Sequence, residues 1–343
     1  MINYNEAQLE SVSVHFIGNQ GEQQGVKLMD NAVDIHSSTL KDILLRYFLG
    51  NFKDPQFFNF AHEDTQHNPM FEWSEQIFEN PESIHTISKE MAMHLYKYST
   101  HPAIKTGELM ITFLQDVLIE DEMVDAIGIF KSETKDTFIK LKDLETSYSI
   151  DRSSGIAINK LDKGCLILNT EKSAGYKMCI VDQSNKNKEA VFWRNDFLNV
   201  TYREDNYNHT TVYIQATKDF IDEKLKPEFQ LDKKDEAAIL NSSKDYFSNA
   251  EKFEEENYLE SIFSGNESLK SEFSDFKRDK DFDFSSNFNI SEPAVKKNNG
   301  VFKSVLKLDR NFSVYIHGNR NMIEKGEDED GRKYYKLYYD NEK

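Results

Sequence analysis

The spacing of apolar residues changes several times in the first hundred residues, and each spacing predicts a different element. Apolar and polar residues alternate over 12–16, as in a strand, and after a polar break the run 26–28 predicts the returning strand of a hairpin. Spacings of three and four then predict helices over 39–49 and 82–98. The aromatic stretch 51–80 lies between them, has no regular period and predicts a packed loop with short elements.

Strand periodicity takes over after these helices. Apolar runs separated by polar turns predict an antiparallel meander of about seven strands over 107–194, including strands at 137–141, 155–159 and 190–194, with both helices packed on one of its faces. Helical spacing returns from residue 208, and 264–300 predicts short elements or a connector. Alternation over 301–316 and the tyrosine-rich run 334–339 predict a small terminal sheet. The expected fold class is α+β: an antiparallel meander sheet with covering helices, then a helical region and a small C-terminal antiparallel β element.

Length and composition predict two globular domains. The 343 residues exceed a typical single domain, and 38% hydrophobic residues supply core material for two. We expect an N-terminal α+β domain, 1–204, and a C-terminal domain, 205–343, with a helical region and a terminal β-sheet. The two cysteines, Cys165 and Cys179, fall inside predicted strands, which favours buried structural thiols and a reducing cytoplasm. No apolar run reaches the roughly 20 residues that span a bilayer, so no membrane partner is expected.

Charge is distributed unevenly along the chain. The total is −18, yet residues 295–343 carry 11 Lys and Arg against 8 Asp and Glu. The total argues against a purely electrostatic binder of duplex DNA, because such binding uses cationic side chains to displace counterions from phosphates. A polyanion contact must therefore be local. Its candidates are the basic residues of the tail: Lys303, Lys307, Arg310, Arg320, Arg332 and Lys333.

Two interpretations of this tail stay open. If three strands pair in order, the basic residues share a single positive strip. Alternatively, the tyrosines and lysines are ordinary half-buried strand residues, since aromatic residues and alternation are typical of any strand.

Patterns that would indicate catalysis are weak. The residues from His62 to His67 include two imidazoles and two carboxylates, but their spacing differs from the HExxH helix, and a solvated acidic loop is the preferred interpretation. Asp232, in the aspartate-x-lysine element 232–234, stands where a helix cap is expected. The sequence has no GxxxxGK[ST], strand-linked GxGxxG or GxSxG. We therefore expect no enzymatic activity, no metal and no cofactor.

Several runs resemble one protein family. They are VSVHFIG and GVKLMD, the strands ELMITFLQDVLIEDEMVDAIGIFKSETKDTFIKL and YSIDRSSGIAINKLDKGCLILN, the helical TTVYIQATKDFIDEKL, and the closing FKSVLKLDRNFSVYIHGNRNMIEKG. Together they span nearly the whole chain and resemble the bacterial 37-kDa nucleoid-associated protein family, called NdpA-like. The resemblance implies association with the nucleoid, a cytoplasmic location and no assigned enzymatic activity. It offers no motif of functional residues.

Two functions follow as hypotheses. The first is a non-enzymatic nucleoid-associated protein that binds double-stranded chromosomal DNA directly through a local basic C-terminal strip. The second is a protein-interaction adaptor recruited to the nucleoid by a DNA-bound partner such as a topoisomerase, which the overall acidity favours. The salt dependence of DNA binding separates the two. Homo-oligomer formation and DNA sequence preference stay open.

Overall fold

A computed structural model describes most of the chain. The described residues are 2–3, 5–52, 56–61, 67–119, 122–183, 192–229, 231, 233–280, 285–302, 304–308, 312–316, 322–339 and 341. They belong to two compact units, Met1–Arg203 and Glu204–Lys343. The fold class is α+β, as the sequence predicts. Among the helices of the described ranges, none combines the length and hydropathy that crossing a membrane requires.

The first unit contains strands β1 to β11 and helices α1 to α3. The strands are β1 Ile2–Asn3, β2 Gln8–Ile17, β3 Val26–Lys27, β4 Phe57–Phe60, β5 Gly107–Ile119, β6 Glu122–Ser132, β7 Asp136–Asp143, β8 Tyr148–Gly155, β9 Lys163–Leu168, β10 Lys177–Asp182 and β11 Val200–Tyr202. The helices are α1 Ser38–Leu49, α2 Pro69–Glu79 and α3 Ile84–Tyr98, with short 3₁₀ turns at Pro81–Ser83 and Lys172–Ala174 and a π-helical segment at Phe192–Leu198.

Nine of these strands form one antiparallel sheet. Its order is β11-β4-β10-β9-β6-β5-β2-β3, and β1 also pairs with β5. The hairpin predicted at the N-terminus is therefore present as β2 and β3. Strands β7 and β8 pair with each other in a separate ribbon, because the chain leaves the sheet after β6 and returns to it at β9.

The stretch 51–80, predicted as a packed loop with short elements, contains helix α2 and strand β4, and β4 lies between β10 and β11. Three local predictions about the sheet were wrong. The strand predicted over 137–141 lies in β7, outside the nine-stranded sheet. The strand predicted over 190–194 is π-helical from Phe192 onward, while residues 190 and 191 lie outside the described residues. The stretch 155–159 is mostly loop, since β8 ends at Gly155. These errors concern which segments join the sheet, and the antiparallel sheet itself was predicted.

The sheet is buried on both faces, so the prediction that both helices cover one face was wrong. Helix α3 packs Met91 against a cluster that includes Ile111, whereas α1 packs Phe48 against the cluster on the opposite face, which includes Met110. The ring of Phe48 stacks on Phe130, with centroids 4.4 Å apart. The physical reason is visible in β5, whose run of apolar residues has no alternation and therefore requires cover on both sides.

The second unit consists of helices and small hairpins. Its helices are α4 Asn206–Phe220, α5 Lys226–Phe229, α6 Lys233–Asn249, α7 Glu255–Phe263, α8 Glu267–Asp279 and α9 Glu292–Lys297, with a π-helical turn at Ile221–Leu225 and a 3₁₀ turn at Asn298–Gly300. Its strands are β12 Lys252–Glu254, β13 Asn287–Asn289, β14 Ser304–Leu308, β15 Phe312–Ile316, β16 Ile323–Glu327 and β17 Lys333–Leu337. They pair only as β12-β13, β14-β15 and β16-β17 within the described residues.

Aromatic side chains dominate the core of this unit. Phe253 stacks on Phe288 across β12 and β13, with ring centroids 4.6 Å apart, and Phe220 of α4 meets Phe273 of α8 edge to face at 5.2 Å. The buried Tyr258 hydroxyl hydrogen-bonds with the hydroxyls of Thr217 and Ser243. Aromatic burial and satisfied polar groups give this unit a core of its own.

Candidate nucleic-acid interface

The basic tail predicted as a candidate polyanion contact folds as two hairpins. Strands β14 and β15 pair from Ser304 with Ile316 to Leu308 with Phe312, and β16 and β17 pair from Ile323 with Leu337 to Glu327 with Lys333. The hairpins form separate two-stranded sheets, so the in-order pairing of three strands that a single positive strip would require does not occur among the described residues. The single positive strip that such a sheet would have carried is therefore absent from the described strands.

Three of the six basic residues predicted to contact a polyanion lie within the described residues. Lys307 lies in β14, where its backbone pairs with that of Ser313. Arg332 lies in the turn before β17, and Lys333 is the first residue of β17. The other three members lie outside the described residues: Lys303, Arg310 and Arg320.

Arg332 is held by the turn that joins β16 to β17. Its Nε lies 3.1 Å from Oδ2 of Asp328, and its Nη2 lies 3.1 Å from Oδ2 of Asp330. The same Asp328 accepts hydrogen bonds at Oδ1 from the backbone amides of Asp330 and Arg332, while Gly331 supplies the positive φ of 77° that the turn requires. Two carboxylates therefore neutralise the exposed guanidinium locally.

The lysines of β17 face carboxylates across the hairpin. Lys333 pairs with Glu327, and Lys336, which the sequence analysis did not select, pairs with Glu324. The Tyr338 hydroxyl donates to Oε2 of Glu324 at 2.7 Å, and Lys336 Nζ lies 5.3 Å from the Tyr338 ring centroid. A hydrogen bond with Tyr338 is the main reason that the pKa of Lys336 is raised. Each of these lysines thus has a negative group close by.

The two faces of the β16-β17 hairpin differ in exposure. Ile323 and Tyr335 are half-buried and pack, together with Val314 of β15, near Ala237 of α6. The tyrosines on the rest of β17 and just after it are exposed, with Tyr339 the most exposed at 69%. A polyanion that reached this hairpin would therefore meet aromatic rings and paired charges rather than a bare row of cations.

Positive charge concentrates in the part of the tail before β16. Residues 303–321 contain four Lys and Arg against one Asp, whereas 322–343 contain five against seven Asp and Glu. The excess of cations counted for the whole tail therefore comes from the β14-β15 hairpin, its flanking residues and Lys296 with Lys297, and not from the β16-β17 hairpin.

An open cleft of the second unit is acidic. This cleft of about 540 Å³ is lined by three consecutive glutamates, Glu254 to Glu256, by Glu267 and by Lys270. Lys270 Nζ lies 2.8 Å from Oε1 of Glu267 and is also paired with Glu260. Carboxylates outnumber the cation, so this cleft disfavours a phosphate group.

Most of the predicted histidine and carboxylate candidates lie outside the described residues. The stretch 62–66 and Asp232 lie outside the described residues. His94 packs edge to face on Trp73 and Tyr98, with its Nε2 3.2 Å from the Phe197 carbonyl oxygen, and burial lowers its pKa. Within the described ranges, no group of three or more His, Cys, Asp or Glu residues is arranged to hold a metal ion.

Both cysteines are buried, as predicted, and they face opposite sides of the sheet. Cys165 of β9 belongs to the cluster under α3, and Cys179 of β10 belongs to the cluster under α1. Their strands are neighbours, but Cys165 pairs with Ile180 and Cys179 with Leu166. Burial raises the pKa of both thiols, so neither is activated as a nucleophile.

Two buried lysines form a cluster that the sequence analysis did not identify. Lys131 of β6 and Lys163 of β9 are direct register partners, and both side chains are almost fully enclosed. Lys131 Nζ lies 2.9 Å from Oε1 of Glu133, and Lys163 Nζ lies 3.0 Å from Oδ1 of Asp182. The only signal in the sequence is a lysine at the end of each of two apolar runs. Because they are enclosed, these lysines do not form part of a polyanion-binding surface.

Comparison with known proteins agrees with the resemblance of the sequence runs. None of the curated proteins matches the chain. The family described as nucleoid-associated protein YejK matches residues 13–341, which include the nine-stranded sheet except β1 and the first half of β2, together with the helical region and both terminal hairpins. A match of this extent covers both units, so the chain belongs to the family of nucleoid-associated protein YejK.

Proposed function

We propose that this chain is a non-enzymatic nucleoid-associated protein of the bacterial cytoplasm that contacts double-stranded chromosomal DNA directly. The principal contacts are the four basic residues of the segment before β16: Lys303, Lys307, Arg310 and Arg320. One observation carries the proposal. This segment, 303–321, has four cations against one carboxylate in a chain whose net charge is −18. Lys and Arg side chains contact phosphate oxygens without reading sequence, which suits association with the chromosome as a whole.

In this proposal, Arg332 and Lys333 contribute less to DNA affinity than the four principal residues do. Arg332 is paired with Asp328 and Asp330, and Lys333 lies opposite Glu327. A cation that leaves a carboxylate to bind a phosphate exchanges one partner for another, so its net contribution to DNA affinity is small.

The acidic remainder of the protein affects both the expected affinity for DNA and its dependence on salt. Its charge repels DNA at long range, while the basic segment attracts it locally. We therefore expect moderate affinity that falls as salt rises, with a slope set by a few phosphate contacts rather than by a large basic surface.

The experiment is a salt titration of full-length protein on a labelled duplex, read by fluorescence anisotropy. Lys303→Ala with Lys307→Ala should flatten the slope of log affinity against log salt by about two units, because each phosphate that a cation neutralises adds roughly 0.9 to that slope. The matched control is Lys325→Ala with Lys333→Ala, which removes the same charge from the β16-β17 hairpin and should change the slope by less than half as much. Circular dichroism checks that both variants fold.

Two results would overturn direct binding. One is an equal change of the salt slope in the two double variants, because the basic segment would then contribute no more to DNA binding than the β16-β17 hairpin does. The other is absence of duplex binding by the unmodified protein at low salt.

The second candidate function is the adaptor, in which a DNA-bound protein such as a topoisomerase recruits the chain to the nucleoid. The pairing of Arg332 with two aspartates and the net charge of −18 favour it, because neither suits phosphate binding. In that case the protein binds no duplex at low salt, yet immobilised protein retains a purified DNA-bound partner, and retention persists after nuclease treatment.

A further inference from the structure

The β7-β8 ribbon is amphipathic, and its apolar face is uncovered. The register pairs Ile139 with Arg152, Leu141 with Ile150, and Asp143 with Tyr148, which places these six side chains on one face. The four apolar members of this face are among the most exposed hydrophobic residues described: Ile139 74%, Leu141 66%, Tyr148 67% and Ile150 74%. The opposite face is mostly polar. No residue of either strand is buried.

An uncovered face of this kind requires a partner on physical grounds. A two-stranded hairpin alone in water is marginally stable at best, and an apolar face packed on another surface is what stabilises it. Contiguous exposed apolar side chains rimmed by polar residues mark interaction sites. The ribbon pairs only with itself among the described strands, so its own sheet does not supply the cover.

We propose that the apolar face of the β7-β8 ribbon docks against the same face of a second copy of this chain. The two ribbons stack face to face about a twofold axis that runs across the strands and passes by Leu141 and Ile150. The strands of the two copies then run in opposite directions, so that Ile139 of one copy lies over the Asp143 end of the other. Such an isologous contact is the commonest way in which identical chains associate.

Charge complementarity selects a second copy as the occupant. The face carries Arg152 near one end and Asp143 at the other, separated by the apolar residues. In the antiparallel arrangement, Arg152 of one copy faces the Asp143–Tyr148 pair of the other, where a carboxylate attracts the guanidinium and an aromatic ring provides a cation–π contact. The Arg152 side chain makes no hydrogen bond or ion pair within the described part of the chain. The parallel arrangement would instead place the two Arg152 side chains at the same end.

The charge balance of the whole ribbon argues against a highly charged partner. Over 136–155 it has three Lys and Arg against four Asp and Glu, so it attracts neither DNA nor a basic partner. In a chain of net charge −18, a nearly neutral ribbon also lets two copies approach with little local repulsion.

The area of the apolar face determines how strong the dimer is expected to be. Eight residues at about 3.4 Å each, in two strands about 4.8 Å apart, give a face of about 25 by 10 Å, well below the roughly 800 Å² per partner of a stable protein–protein interface. The dimer is therefore expected to be weak and to form in the micromolar range, and its formation is independent of DNA contact through the basic tail.

The test is sedimentation velocity on the full-length protein from low micromolar to several hundred micromolar. The unmodified protein should show a monomer–dimer equilibrium. Leu141→Asp with Ile150→Asp should weaken dimerisation at least tenfold. The matched control, Ser149→Asp with Ser153→Asp, adds the same charge to the opposite face of β8 and should leave dimerisation unchanged. Circular dichroism confirms that all variants fold.

A charge exchange tests the proposed arrangement. Arg152→Asp and Asp143→Arg should each weaken dimerisation, and the two together should restore it. A protein that is monomeric at every concentration overturns the proposal, as does a dimer that survives Leu141→Asp with Ile150→Asp.

Discussion

Glu327 and Lys333 lie directly opposite one another where the β16-β17 hairpin meets its turn, and Glu324 and Lys336 repeat the arrangement further along the same strands. Opposite charges across a strand pair contribute roughly 0.2–1 kcal/mol to the hairpin. Each pair is also neutral. The potential that this hairpin presents to a polyanion is therefore much weaker than its number of lysines suggests.

Removing these two carboxylates should increase DNA binding. We expect Glu324→Gln with Glu327→Gln to raise duplex affinity and to steepen the salt slope by up to about two units, because Lys333 and Lys336 become available to phosphates. The glutamine at position 324 keeps an oxygen that can accept from Tyr338. Anisotropy at several salt concentrations measures both quantities.

The control for this variant removes two exposed carboxylates from the first unit, Glu10→Gln with Glu82→Gln. It makes the same change in net charge, so an equal gain in affinity from the control would show that only the overall charge matters. An unchanged affinity in Glu324→Gln with Glu327→Gln would contradict the prediction.

The two cysteines should be unreactive in the folded protein. Both thiols are buried, burial raises the pKa of each, and they face opposite sides of the sheet, so neither thiolate attack nor a disulfide between them is expected. A chromogenic disulfide reagent should therefore label neither thiol in native buffer and both in denaturant. Fast labelling of the native protein would contradict this.

Substitution of the cysteines should lower stability without affecting DNA binding. A serine hydroxyl at Cys165 or Cys179 would be enclosed in an apolar cluster, at a cost of roughly 1–3 kcal/mol. Urea unfolding measures that cost, and anisotropy under native conditions measures binding. A well-folded variant that no longer binds DNA would give the cysteine a role beyond packing.

Lys131 should make the free energy of unfolding depend on pH in the alkaline range. Burial lowers its pKa from the ordinary 10.5. Between the lowered pKa and 10.5 the unfolded chain holds a proton that the folded chain has released, so the free energy of unfolding contributed by this group rises with pH. The slope for one such group reaches about 1.4 kcal/mol per pH unit.

Urea unfolding of a paired variant measures this contribution. Lys131→Met with Glu133→Gln removes the lysine without leaving its buried carboxylate unpaired, and the rise with pH should become smaller. The control is Lys135→Met with Glu108→Gln, a more exposed ion pair nearby. Identical pH dependence in the two variants would assign the slope to other groups.

The sequence predicts the elements of this fold better than their arrangement. The spacing of apolar residues locates α1 and α3, because a helix is determined by residues three and four apart. It does not reveal that Phe57–Phe60 is a strand, since β4 is stabilised by β10 and β11, more than a hundred residues later. The face that each helix covers likewise depends on the path of the chain between them.

The candidate interface shows the same limit. The acidic run and the basic residues of the tail are both visible in the sequence, but only the strand register shows that Glu327 faces Lys333 and Glu324 faces Lys336. A count of charges treats these four residues as independent. The structure shows that each lysine lies directly opposite a glutamate in the register.

The division of the chain gives a last prediction, because the two tryptophans report on one unit alone. Trp73 lies in α2, and Trp193, fully buried, lies in the π-helical segment of the first unit. All nine strands of the sheet and the two clusters on its faces come from residues 1–203. A fragment of residues 1–204 should therefore fold alone, with blue-shifted tryptophan emission and a cooperative urea transition near that of the full chain. Emission typical of tryptophan in water would show that the first unit depends on the second.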